Sequence, residues 1–160
     1  MSVQPQQRRS HHVLIVEDDD AHALIIQSCL RSINLPGLSV TSVRARDGME
    51  AVECLEGEGA FANLPMPSLI LLDLKLPRVD GRELLAQIKA NPEWWLIPVV
   101  VLTTSNARTD RLRAYDLQAS GYVVKPLGIA GFRSMIHSSL RYWPRWNCQP
   151  ASEDGQTAVT

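Results

Sequence analysis

The sequence predicts an α/β fold of five strand–helix units, (βα)5, whose strands form an open, doubly wound parallel sheet. Three observations lead there. Short apolar runs alternate with amphipathic stretches along the chain. Several of the runs are almost unbroken in Val, Ile and Leu, as strands covered on both faces require. Apolar residues in the intervening stretches recur at helical spacing. Such alternation implies right-handed crossovers, and it places the functional crevice beyond the carboxyl ends of the strands, at the topological switch point.

The elements follow in order. The first strand, His12–Val16, runs into Glu17-Asp18-Asp19-Asp20, where Asp19 or Asp20 is expected to cap the next helix. In that helix Ile26, Cys29, Leu30 and Ile33 fall at i, i+3, i+4 and i+7. The second strand, Ser39–Arg44, precedes a helix with Asp47 as N-cap and Glu50 three residues on. The third, Ser68–Leu72, ends at Asp73, and Leu84, Leu85 and Ile88 mark the core side of its helix. The fourth, Val99–Leu102, leads to Thr103-Thr104-Ser105, with Asn106 a candidate cap and a helix start near Arg108 the alternative. The fifth, Gly121–Val124, ends at Lys125-Pro126, where a cis bond is possible. Phe132, Met135, Ile136, Leu140 and Trp143 form the stripe of the last helix. Residues 1–10 and 144–160 read as flexible extensions around one domain at 11–143.

The 160 residues carry 16 Lys and Arg against 17 Asp and Glu, a net charge of −1, which argues against broad binding to nucleic acid or anionic lipid. No apolar run approaches the roughly 20 residues needed to span a bilayer, and no apolar leader opens the chain. Three cysteines without metal-like spacing suit a reducing cytoplasm. Cys29 and Cys54 read as small core residues and Cys148 as an exposed tail thiol. One of Trp94 and Trp95 is expected to pack on the domain, and none of His11, His12, His22 and His137 is given a function.

Polar chemistry gathers at the strand ends. Glu17, Asp18 and Asp73 would crowd negative charge, which calls for a bound cation, a raised pKa, or both. A few hard oxygen ligands with room for water and phosphate suit Mg²⁺. Lys125, costly to bury alone, is expected to pair with these carboxylates. Thr103 by itself is merely a good strand residue.

The motifs Val16-Glu17-Asp18-Asp19, Leu71-Leu72-Asp73-Leu74-Lys75-Leu76-Pro77 with Asp80-Gly81, Val101-Leu102-Thr103-Thr104-Ser105 and Gly121-Tyr122-Val123-Val124-Lys125-Pro126 occur in this order. Over residues 12–143 the chain resembles the receiver domains of two-component response regulators. The resemblance implies the flavodoxin-like, CheY-like strand order 2-1-3-4-5. It implies Asp73 as phosphoryl acceptor, and Glu17, Asp18, Asp73 and the Lys75 backbone carbonyl as Mg²⁺ ligands. Thr103 becomes the switch hydroxyl, Tyr122 its aromatic partner, and Thr103, Thr104 and Lys125 the phosphate contacts. Glu17 stands where Asp is commoner, keeping the charge on a longer arm. Lys75 and Ser105, each two residues past a key position, would tune the access of hydrolytic water.

The resemblance further implies a cytoplasmic phosphorelay regulator partnered by a sensor histidine kinase. The wording of Asp80-Gly81-Arg82-Glu83-Leu84-Leu85 and Ile97-Pro98-Val99-Val100-Val101-Leu102-Thr103-Thr104-Ser105, with the long segment Glu56–Pro67 and Tyr142-Trp143, is similar to that of single-domain regulators serving phytochrome kinases. With 17 residues after Trp143, output is expected through the surface, through a homodimer on the face of the fourth helix, fifth strand and last helix, or through onward phosphotransfer. A phosphate sink or intermediate carrier is the alternative. An enzyme acting on separate substrates is not expected: haloacid-dehalogenase-like phosphatases need a second carboxylate where Lys75 stands. A flavodoxin-like binding module would need a phosphate-cradling loop where Glu17–Asp20 lie.

Overall fold

Leu69–Leu72 is apolar and buried at every position, so this strand must be covered on both faces. In the computed structural model, which describes residues 9–34 and 36–146 with side chains through 138, it is the centre of the sheet. The strands are β1 (Arg9–Val16), β2 (Leu38–Ala45), β3 (Leu69–Leu72), β4 (Val99–Thr103) and β5 (Gly121–Val124). They pair in parallel in the order β2-β1-β3-β4-β5. The helices are α1 (Asp20–Arg31), α2 (Gly48–Glu56), α3 (Gly81–Ala90), α4 (Arg108–Asp116) and α5 (Ile129–Trp146).

Period-two alternation sorts the strand residues onto two cores. Leu14, Val16, Ile70, Leu72, Val99 and Val101 face Ala51, Cys54, Leu84, Leu85 and Ile88 of α2 and α3. Val13, Ile15, Leu69, Leu71 and Leu102 face Ile25, Ile26, Cys29 and Leu30 of α1 with Phe132 and Ile136 of α5. The register then aligns the strand ends, with Val16 opposite both Ala45 and Leu72, Leu72 opposite Val101, and Thr103 opposite Val124. Asp73 N–H donates to Val16 O at 3.0 Å and Lys125 N–H to Thr103 O at 2.7 Å, so the chemistry-bearing residues leave the sheet along one edge.

The caps largely match the sequence. Asp19, not Asp20, caps α1 through His22 N–H at 2.9 Å. Asp47 accepts from Glu50 N–H at 2.9 Å, while the Glu50 carboxylate reaches back to Arg46 N–H at 2.8 Å. Asn106 is not the cap of α4. That helix starts at Arg108 with Ala107 before it, and the Asn106 side chain instead accepts from Arg111 at 2.8 Å. Two boundaries also move. Arg9 and Ser10, expected in a flexible segment, open β1, because the backbone pairs with Leu38 and Ser39 even where the side chains are exposed. Residues 144–146 continue α5, so Pro144 removes one helical hydrogen bond in the last turn without ending the helix. The bond before Pro126 is trans. Trp94 is buried and Trp95 half exposed. Cys29 and Cys54 lie in the core, while Cys148 and the side chains of Leu140, Tyr142 and Trp143 fall outside what is described.

Candidate functional site

Three carboxylates meet at the end of the sheet. One oxygen from each of Glu17, Asp18 and Asp73 lies within 4.8 Å of the others, with Glu17 and Asp73 buried and Asp18 open to solvent. Lys125 enters from β5 with its side chain only 2% exposed. Its ammonium donates to Glu17 Oε2 at 2.5 Å and Asp73 Oδ2 at 3.0 Å. The other Asp73 oxygen, Oδ1, accepts from Lys75 N–H at 3.1 Å, so a donor on each oxygen fixes the plane of that carboxylate.

One ammonium cannot balance three carboxylates. Burial, aided by the Asp73 charge and opposed by Lys125, pushes the Glu17 carboxyl up to about 7. A site of hard oxygens with surplus negative charge, open on the Asp18 side, fits a small divalent cation.

Two participants escaped the sequence reading. His22 Nδ1 lies 3.2 Å from Lys125 Nζ and is its third polar neighbour. The imidazole also packs against Phe132, with ring centroids 4.8 Å apart. The available signal was the Asp19 cap, which puts His22 in the first turn of α1 beside the acidic loop. The other is Arg44, whose guanidinium bonds the Glu17 and Asp18 carbonyls at 3.0 and 3.1 Å. Nothing in its strand pattern marked it.

Thr103 is fully buried, and its hydroxyl accepts from Ser105 N–H at 3.3 Å. Thr104 Oγ1 lies 3.3 Å from Lys75 Nζ, which draws the end of β4 toward the Asp73 loop. Tyr122 does not reach the carboxylates. Its hydroxyl donates to Ser105 O at 2.9 Å. Ser105 is therefore a joint, bonded through its amide to Thr103, its carbonyl to Tyr122 and its hydroxyl to Asp110 at 2.5 Å. Asp110 also pairs with Arg82 at the start of α3. The Ser105 hydroxyl first, and Arg82 second, hold the Asp110 carboxyl below its usual range.

Gly81 sets the approach of α3 to the site. A Cβ there would stand 2.5 Å from Asp73 O and 2.6 Å from Leu74 Cα, both backbone atoms that cannot step aside. Gly81→Ala is therefore expected to cost about 2 kcal/mol, as overpacking does, and to displace the Asp73 loop. Denaturant unfolding checks the first effect. Unchanged stability together with unchanged metal affinity would contradict this reading.

A five-stranded 2-1-3-4-5 sheet with an acidic pocket at its carboxyl edge and a facing lysine is the architecture that the receiver resemblance leads one to expect. The chain belongs to the response regulator receiver domains, whose family profile matches residues 13–137. It is 37% identical over 140 residues to the response regulator Rcp1 of Synechocystis, covering 88% of this chain and 93% of that one. The Mn²⁺-bound crystal structure of Rcp1 superposes with a TM-score of 0.81, over 88% of this chain and 99% of that one. The phosphorylated cyanobacterial phytochrome response regulator RcpA matches with a TM-score of 0.80 at 38% identity, over 89% and 99% of the two chains. A probable methanogenesis regulatory protein, FilR2 of Methanothrix harundinacea, is 40% identical over 139 residues, covering 86% of each chain. The fold expected from the sequence is thus the observed one, and the family is a two-component regulator family whose members work with histidine kinases. Among the described residues no helix is long and apolar enough to cross a membrane.

Proposed function

We propose that Asp73 accepts a phosphoryl group from the phosphohistidine of a cytoplasmic sensor kinase of the bacteriophytochrome type, in a Mg²⁺-dependent reaction. The observation that carries this is the Asp73 carboxylate itself, oriented by Lys75 N–H and Lys125 Nζ beside two further carboxylates. Similarity to RcpA, a cyanobacterial phytochrome response regulator, supports the partner class.

An Asp73 oxygen attacks phosphorus in line, the P–N bond to the kinase imidazole breaks, and the electron pair leaves with the imidazole. The transition state is loose, so positioning and charge neutralisation supply most of the catalysis. Glu17, Asp18, Asp73 and the Lys75 carbonyl would hold the cation, which supplies positive charge to the phosphoryl oxygens. Lys125 turns its ammonium to the transferred group, and the Thr104 region donates to a phosphoryl oxygen. Hydrolysis reverses the modification, with Lys75 and Ser105 setting the access of water. The protein is thus a self-modifying switch rather than an enzyme of separate substrates.

The new group carries about −1.5 to −2 charge. Thr103 is drawn from Ser105 N–H toward it, which loosens the joint that holds Tyr122. That reshapes the face of α4, β5 and α5. Leu112 and Tyr115 are about half exposed on α4, and Ile129 is exposed at the start of α5, as a homodimer through this face would use. Phe132 and Leu117, by contrast, serve the core.

Incubation with an autophosphorylated bacteriophytochrome kinase tests the proposal. Label should pass to the wild type and not to Asp73→Asn. Equal transfer to both would overturn the assignment of Asp73.

A further inference from the structure

The loop after β1 sets four acidic residues in succession, Glu17 to Asp20, and their mutual repulsion favours a splayed loop. Arg44, near the end of β2, opposes this. The parallel register sets Arg44 opposite Ile15, two residues before Glu17. Its guanidinium places Nε on Glu17 O at 3.0 Å, one terminal nitrogen on Asp18 O at 3.1 Å, and the other on Asp20 Oδ1 at 2.7 Å. All three nitrogens are used on one loop. The Arg44 side chain is 14% exposed, whereas Asp20 is 83% exposed.

We propose that Arg44 is a positioning residue for the divalent-metal pocket, a fork that fixes the backbone from which Glu17 and Asp18 present their carboxylates. The inference rests on the metal-site reading above. Arg44 touches neither metal-facing carboxylate. It grips the two carbonyls and, two residues past Asp18, the Asp20 carboxylate at the start of α1, so the loop is ordered before a cation arrives and binding need not supply that ordering. A guanidinium presents its donors in a rigid plane, which an ammonium cannot copy. The charge of Arg44 acts the other way, because a nearby cation disfavours a second one. The two effects have opposite signs, and substitutions separate them.

Mn²⁺ binding is measured by the electron paramagnetic resonance of the free ion, on the unphosphorylated chain, at a temperature where circular dichroism shows each variant folded. Arg44→Lys keeps the charge and loses the fork, and Arg44→Gln loses both. Arg44→Lys is expected to bind Mn²⁺ about tenfold more weakly than wild type and Arg44→Gln, relieved of the repelling charge, about threefold more weakly, both with faster amide exchange at residues 18–20. Wild-type affinity in Arg44→Lys, or tighter binding in Arg44→Gln, would overturn the proposal. Should neither variant fold, Asp20→Asn is compared with Asp19→Asn, which removes the same charge next door without touching Arg44. Asp20→Asn is expected to bind about threefold more weakly than Asp19→Asn, and equal affinities would overturn the fork. A wild type that binds no Mn²⁺ would instead overturn the metal-site reading itself.

Discussion

Lys125→Met is expected to abolish measurable phosphoryl uptake and yet to bind the divalent cation more tightly than wild type. The Lys125 ammonium sits between Glu17 at 2.5 Å and Asp73 at 3.0 Å, on oxygens that a metal also needs. Removing it deletes a competing cation from the pocket, but it also deletes the ammonium that, among the described residues, pairs with the acceptor carboxylate. The metal-free protein should suffer, because two buried carboxylates lose their partner. Breaking a buried pair on one side costs about 3 kcal/mol or more, and protonation of Glu17 offsets part of that. Thermal unfolding with and without Mg²⁺ reads both effects. The variant should melt below wild type without metal and gain more than wild type when metal is added. Equal melting of the two metal-free proteins would contradict this account of the pocket.

Metal affinity is expected to fall as pH drops below about 7, approaching tenfold per unit, and to level off above it. Glu17 must lose its proton to ligate, and burial raises its carboxyl from an ordinary 4.5 to about 7. Glu17→Gln should bind more weakly at pH 8 and lose this part of the pH dependence. The same shift has a sign for stability. A folded-state pKa above the unfolded value means that the fold holds the proton more tightly. The contribution is thus fully present below pH 4.5 and is lost as pH rises through 7. The metal-free protein should therefore be less stable at pH 8 than at pH 5 by up to about 3 kcal/mol from this group, and Mg²⁺ should reverse the loss. Affinity that stays flat between pH 5.5 and 8 would place Glu17 outside the ligand set.

The sheet was readable because its evidence is one-dimensional. Leu69–Leu72 and Val99–Val101 are short apolar runs in an alternating strand–helix pattern, which reads as covered strands, and their ends name Asp73 and Thr103 without further geometry. The carboxylate cluster was readable for the same reason, since the order of a doubly wound sheet brings the ends of β1 and β3 together. What lateral packing decides was hidden. Arg44 reads as one polar residue at the end of an edge strand, and only the register shows that its arm reaches the β1 loop. His22 reads as an ordinary helix residue until α1 is packed against α5, beside the Lys125 that follows β5. Of the two starts offered for α4 the one at Arg108 holds and the Asn106 cap does not, because cap preference is local, whereas the start of α4 is tied to the Ser105–Asp110 and Arg82–Asp110 contacts made from elsewhere. Arg9 and Ser10 were lost because backbone pairing, unlike burial, leaves no mark on hydropathy.

Exposure of the wild-type chain and of Asp73→Asn to acetyl phosphate, with and without Mg²⁺, followed by intact-mass measurement, bears most directly on the pocket as a phosphoacceptor. The wild type should gain a single phosphoryl group in Mg²⁺ and almost none in chelator, and Asp73→Asn should gain none in either. Equal uptake without the metal, or an unchanged gain in Asp73→Asn, would contradict the account.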